Sequence, residues 1–517
     1  MSREGVAYYD PNSVSFIVSK ENPRDVEYKV PTSFQYFITY SITISAVIIV
    51  AMVATAVIAV QIDRAEKFKG NFDPSYYSNR TTVFVIVADG FRGNYLKQNP
   101  EITKGITRLV KGDDQGLRPG IAVTMNPVFP SKPATNLVTL TTGMYAGEHG
   151  IVNKNVYDTH AKNFIFSMEY LERSPESLFK NTEPIWVTAD KKYTTMVDNM
   201  PGNNIKINDT YPDFKNSVFS IPGSYMKRVK EVLNELDLPE GTRPDLMITH
   251  FSFSEVSKQY GPDSKEALDA VINADLAISF LIDEIERRGI IKYCDVIFAS
   301  VTGTAKIEQV SYLEDIFETG SFDLSNPTNS SLLDLITVAN HGSVVDVFLN
   351  KKVSKTVSDA VTSYIQTGLV NGIQSEKWKD KFDIYTDVDS VPHEYHFHAH
   401  DFPLALIVAK PGGYLLTKAK ANYGQKATDG HVNDPEMSGV FVASGPHFSN
   451  SSTMFANEMS VVDVYSVLCS VMKLTPSPYN QGSLDKVSKF IFDKTFYPEP
   501  VPSNSSSESQ SPTEPHH

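Results

Sequence analysis

From Phe37 to Ile62 the chain reads FITYSITISAVIIVAMVATAVIAVQI, without one charged side chain. At about 1.5 Å per residue, a helix over this stretch crosses the roughly 30 Å hydrocarbon core of a bilayer, so it is read as a transmembrane helix. A cleaved signal peptide fits poorly, because the run is too long and starts far from Met1. A buried helix of a soluble protein is the competing reading. The run divides the chain. Residues 1–36 form a cytoplasmic tail in which Pro11, Pro23 and Pro31 break any periodicity, read as short and poorly ordered. Residues 63–80 are a juxtamembrane linker, 81–497 the folded domain, and 498–517 a disordered Pro/Ser/Glu-rich tail.

Lys20, Arg24 and Lys29 precede the helix while Arg64, Lys67 and Lys69 follow it, so positive charge barely orients it. The glycosylation sequons at Asn79, Asn208, Asn329, Asn450 and Asn504 all follow the helix. The expected arrangement is a single-pass type II glycoprotein of the plasma membrane or endomembranes, with its C-terminal domain exoplasmic. A net charge of −14 argues against nucleic acid as a partner. Cys294 and Cys469 lie in apolar segments. Two cysteines make no disulfide framework, and either buried free thiols or a single bridge accounts for them.

Val83–Ala88 is an apolar run of the kind that forms a fully buried parallel strand. Similar runs recur at Asp245–Phe251, Asp295–Ser300, Leu404–Ala409 and Gly439–Ser444. Between them lie helical patterns such as Ser264–Arg288, where Ala267, Val271, Ala274, Ile278 and Ile282 recur at helical spacing. Strands alternating with helices predict an α/β layered fold around a mostly parallel central sheet. Active-site residues then belong at the carboxyl ends of strands. Residues from about 306 to 428 are read as a smaller subdomain.

The stretch Phe129–Gly150, FPSKPATNLVTLTTGMYAGEHG, has a Pro-Ser-Lys-Pro turn entering an apolar, Thr-rich segment. Backbone N–H groups at such a helix start favour a phosphate. Without a gap, this loop resembles the active-site loop of the ectonucleotide pyrophosphatase/phosphodiesterase family, in the alkaline phosphatase superfamily. That family usually reads Tyr-Pro-Thr-Lys-Thr-Phe-Pro-Asn there, and its second Thr attacks the substrate. Pro133, which has no hydroxyl, stands at that position. The resemblance covers residues from about 80 to 495 and implies an alkaline-phosphatase-like fold.

The resemblance also implies where two metal ions would be held. Asp89, at a strand end before Gly90-Phe91-Arg92, matches the first metal-binding Asp; capping of a helix is its bland alternative. In the second segment, aligned on Tyr260-Gly261-Pro262, Ser254 replaces an Asp and Lys258 a His. Neither is a plausible zinc ligand. Glu255 is adjacent, either as a substitute or as a solvated surface residue. In the third segment Val301 and Thr302 replace an Asp-His pair. In the fourth, either Thr428 or His431 falls at the His position; as a lone ligand His431 competes with a surface-loop role. Asn136 matches the Asn that holds a phosphate oxygen, or else bonds its own loop. Lys258 is a second candidate for an anion, and its ammonium is expected to pair with Asp89 in the vacated metal space.

A retained fold with a dismantled site is the pattern of a pseudoenzyme. The expected function is therefore a membrane-anchored surface binding protein with no cofactor, whose partner is a phosphate-bearing small molecule or a surface protein. One rival is an active phosphodiesterase with two zinc ions, Ser131 or Thr135 attacking, and Asp89, Glu255 and His431 as ligands. The other is a structural or adhesive glycoprotein that makes no use of the cleft.

Overall fold

The computed structural model describes residues 15–18, 26–29, 32–70, 82–160, 163–167, 179, 181–215, 224–239, 241–320, 333–350, 353–354, 358–397, 402–421 and 424–494. The chain divides into two compact units, Met1–Phe72 and Asp73–His517.

In the first unit, helix α1 runs Thr32–Gly70. Its span Gln35–Thr55 has a mean hydropathy of 2.3 and is long and apolar enough to cross a membrane. The helix continues past Ile62, so residues 63–70 are helical where a linker was expected. Good helix formers such as Ala65, Glu66 and Lys67 explain the extension. The expected irregular tail is corrected in part: Ser15–Val18 and Val26–Lys29 pair as antiparallel strands. Their β-branched and aromatic residues favour that state. Residues 71–81 and 495–517 lie outside the described residues, as do Asn79, Asn329 and Asn504.

The second unit is built on a seven-stranded sheet. Its strands are β1 (Thr82–Asp89), β2 (Ile121–Asn126), β3 (Thr195–Asp198), β4 (Leu246–Ser252), β5 (Cys294–Ser300), β10 (Gly439–Ser444) and β11 (Thr453–Ser460). They lie in the order β11-β2-β10-β5-β1-β4-β3. All neighbours are parallel except at β10, which runs antiparallel to β2 and β5. A second sheet holds β6 (Ile336–Val338), β7 (Val344–Leu349), β8 (Phe382–Tyr385) and β9 (Ala405–Ala409), all antiparallel, in the order β6-β7-β9-β8.

The apolar runs at 404–409 and 439–444 are thus strands, but neither is a parallel one. Burial on both faces produces the same unbroken apolar run whichever way the neighbour points. The helix read at Ser264–Arg288 spans Lys265–Arg287, Ser264 Oγ caps it by accepting from the Ala267 N–H, and helices α2 (Lys104–Lys111) and α4 (Tyr225–Leu236) pack against it. Val271, Ala274, Ile278 and Ile282 are fully buried on its inner stripe. Cys294 and Cys469 are both buried and free.

Candidate functional site

Strand β1 ends at Asp89 in the middle of the sheet, with β4 on one side and β5 on the other. The turn that follows requires Gly90: its φ is +72°, and a Cβ there would stand 2.5 Å from the Ser254 nitrogen. Asp89 is fully buried. Its Oδ2 lies 2.7 Å from His250 Nε2, and its Oδ1 accepts from Ser252 Oγ at 3.2 Å and Ser254 N at 3.1 Å. Burial works against the charge, but the His250 contact and the Ser254 hydrogen bonds outweigh it and hold the carboxyl below its ordinary range. On its far side His250 meets the Asn199 side-chain amide, 3.2 Å from Nδ1. Asp89 therefore bonds the first residue of helix α5 (Ser254–Tyr260), a capping role toward an element distant in sequence.

Lys258, on α5, does not pair with Asp89 as expected. Its Nζ lies 2.6 Å from Asp429 Oδ2 and 3.5 Å from Glu255 Oε1. The reason lies in the backbone: Lys426 N donates to Lys258 O at 2.7 Å, and this brings the end of α5 beside residues 427–429. Asp89, meanwhile, already has His250. Asp429 also meets a second lysine. Lys132 Nζ donates to Asp429 Oδ1 at 2.9 Å, to the Asp429 carbonyl at 3.1 Å and to Ser343 Oγ at 3.2 Å. One buried carboxylate thus carries an ammonium on each oxygen.

Burial disfavours the Asp429 charge, yet Lys132 and Lys258 hold its carboxyl far below the carboxylate range. Lys132 is lowered, first by burial and further by Lys258, against the pull of Asp429. Burial also opposes the charge on Lys258, but Asp429 and then Glu255 raise it above the usual lysine range. Gly430 makes room for this packing: at φ +94°, a Cβ there would lie 2.5 Å from both Lys132 Cε and Ser343 Oγ.

Pro133 opens helix α3 (Pro133–Thr142), with Lys132 as the extended cap residue and no side-chain cap bond. Ser131 precedes that cap, and its carbonyl accepts from Thr302 Oγ1 at 3.2 Å. Proline suits a first helical position, where its missing N–H costs nothing. Asn136 is fully buried and committed to its own loop. Its Oδ1 accepts from Val128 N at 2.8 Å, while Nδ2 donates to the carbonyls of Val128, Pro130 and Lys132. Thr135 is fully buried, and its hydroxyl makes no hydrogen bond.

His431 is buried, not on a surface loop. Nε2 lies 3.0 Å from the Gly413 carbonyl and Nδ1 3.5 Å from Asp434 Oδ2. Thr428 donates to the Asp429 carbonyl at 2.9 Å. Val301 is fully buried, and the Glu255 side chain is 54% exposed. Among the described residues no group of three or more His, Cys, Asp or Glu is arranged to hold a metal ion. The side chains at the implied ligand positions do not fit two zinc ions: a lysine, a serine, a valine and threonines stand where carboxylates and imidazoles belong.

The type I phosphodiesterase/nucleotide pyrophosphatase family model matches residues 83–434, from β1 through the Lys–Asp–Lys cluster. The chain belongs to this family. Among curated relatives, venom phosphodiesterase 2 of Crotalus adamanteus is 28% identical over 440 residues, covering 83% of this chain and 49% of its own length. Family member 1 of the human ectonucleotide pyrophosphatase/phosphodiesterases is 27% identical, over 78% of this chain and 41% of itself. This chain spans about half the length of the first relatives it matches. A pyrophosphatase/phosphodiesterase of Schizosaccharomyces pombe, 24% identical, is covered over 87% of its length. Murine ectonucleotide pyrophosphatase/phosphodiesterase 5, solved as an inactive form in complex with AMP, shares the fold. Its TM-score is 0.66 at 22% identity, over 80% of this chain and all of that one.

Sequence reading passed over Lys132, Asp429 and His250 as site residues. Lys132 and Asp429 each sit beside a position that the family resemblance had marked, Pro133 and Thr428. That adjacency was the available signal. His250 carried none, since one histidine near a strand's end is usually a core residue.

Proposed function

We propose that this phosphodiesterase-family chain is a type II single-pass membrane glycoprotein that has lost hydrolysis and works by binding at the membrane surface. Its partner is then a phosphate-bearing small molecule or a surface protein, and it needs no cofactor. The observation that carries the reading is Pro133 at the nucleophile position, locked as the first residue of α3. Two-metal hydrolysis needs cations that clamp the attacking and leaving oxygens and lower the nucleophile's pKa. Without them a phosphodiester is exceptionally inert. The rival nucleophile Thr135 has no exposed surface to offer a substrate. α1 supports the anchor, and the exposed Asn208 and Asn450 are accessible for glycosylation. The family's nucleotide chemistry makes a phosphate-bearing ligand the first class to test.

The test is phosphodiester hydrolysis by the full chain in detergent, with zinc supplied, for the wild type and for Ser131→Ala and Thr135→Ala. No turnover above a buffer control is expected from any of them. Wild-type turnover that one of the alanine variants abolishes would establish the rival reading.

A further inference from the structure

We infer that the Lys258 ammonium is the resident cation of this cleft, taking the charge role that a divalent ion has in a two-metal site; the inference rests on the cleft being non-hydrolytic. Lys258 stands at a position where the family resemblance implies a metal-binding His. Its Nζ is 2.6 Å from Asp429 Oδ2, the separation of a direct ion pair. The Asp429 side chain is 4% exposed and that of Lys258 is 15% exposed, so water screens the pair weakly. A carboxylate this deep that keeps its charge is paired with a cation or coordinates a metal. Here the chain supplies two, Lys258 on one oxygen and Lys132 on the other.

The supply is also fixed in place. The Lys258 carbonyl accepts from Lys426 N, and Ala427–Thr428 pairs antiparallel with Ala305–Lys306, a few residues after Val301-Thr302 in the chain. Lys258 lies in the last turn of α5, where the helix dipole favours positive charge. The second carboxylate of the cleft, Asp89, is served separately by His250, Ser252 and Ser254. Each acidic group is therefore paired from within the chain, and no ion has to be recruited. The donor set has exchanged metal ligands for a covalently attached cation, and divalent ions should not contribute to the domain's stability.

The experiment is thermal unfolding of the full chain in detergent, with excess zinc and with a chelator, for the wild type, Lys258→Arg, Lys258→Met, Asp429→Asn and the Lys258→Met/Asp429→Asn pair. The wild-type Tm is expected to be the same in zinc and in chelator. Lys258→Met should lower it, Lys258→Arg should stay near the wild type, and the paired substitution should cost less than the sum of its parts. A wild-type Tm that falls on chelation overturns the inference, as does a silent Lys258→Met or strict additivity. If Lys258→Met does not fold, the arginine variant and the chelator comparison still decide. Hydrolysis by the wild type would overturn the proposed function; an inert protein with a silent Lys258→Met overturns this inference alone.

Discussion

Lys258 Nζ lies 2.6 Å from Asp429 Oδ2, so a helix that begins under Asp89 ends on a carboxylate contributed by a segment some 170 residues later. Lys132, from the turn before α3, holds the other oxygen at 2.9 Å. Three segments that the family resemblance associates with catalysis are tied together here by two lysines and one aspartate.

Removing the shared carboxylate should be costly. Asp429→Asn leaves two buried ammonium groups facing a neutral amide, and breaking a buried pair from one side typically costs about 3–5 kcal/mol. Urea unfolding of the full chain in detergent should register a loss on that scale. A loss below about 1 kcal/mol, the range of exposed pairs, would mean that water solvates these contacts.

Gly430 is the neighbour to test next. Gly430→Ala puts a methyl group 2.5 Å from Lys132 Cε at a φ of +94°. Backbone strain of this kind costs of order 1–3 kcal/mol, and the clash adds to it. The Tm should fall clearly. An alanine tolerated without change would show that Lys132 does not pack where it is placed.

Much of the fold was legible because the strongest patterns are local. Val83–Ala88 and the stripe on Lys265–Arg287 announce a buried strand and an amphipathic helix by periodicity alone. Strand direction was not legible: Val440–Ala443 and Ala405–Ala409 are as apolar as Val83–Ala88, because burial on both faces erases alternation. The loss of the family's ligands could be read residue by residue. What replaced them could not, since Lys132 and Asp429 meet across 297 positions and His250 meets Asp89 across 161. Spacing carries no information about such contacts. The expected Lys258–Asp89 pair failed for this reason, each partner having found a closer one.

Asp346 gives the domain a pH signature. It is fully buried on β7 beside Asn340 and Asn153, whose amides donate at 2.7 and 3.2 Å, and burial raises its pKa to about 6. The folded state therefore holds this proton more tightly than the unfolded chain, whose Asp titrates near about 4. Stability from this group is complete below about pH 4 and is lost as pH rises to about 6, a swing of about 2–3 kcal/mol. Unfolding measured from pH 4 to 7 should show the wild type losing ground relative to Asp346→Asn over this window. Parallel curves would contradict the shift.

Asn136 separates a structural role from a ligand contact. Asn136→Ala removes the partner of Val128 N and one hydrogen bond from each of the Val128, Pro130 and Lys132 carbonyls, at roughly 1–3 kcal/mol for a buried group left unsatisfied. The Tm should fall while the affinity for AMP, used as the phosphate-bearing probe, stays at the wild-type value. Loss of AMP binding at an unchanged Tm would make Asn136 a ligand contact.

The reading of this cleft as one that supplies its own cations is tested most directly by metal content. The full chain, purified in detergent, would be exposed to excess zinc, desalted and analysed for bound zinc per polypeptide. No stoichiometric zinc is expected, because Lys258 holds Asp429 and His250 holds Asp89. Two zinc ions per chain, the complement of a two-metal phosphodiesterase, would contradict the account.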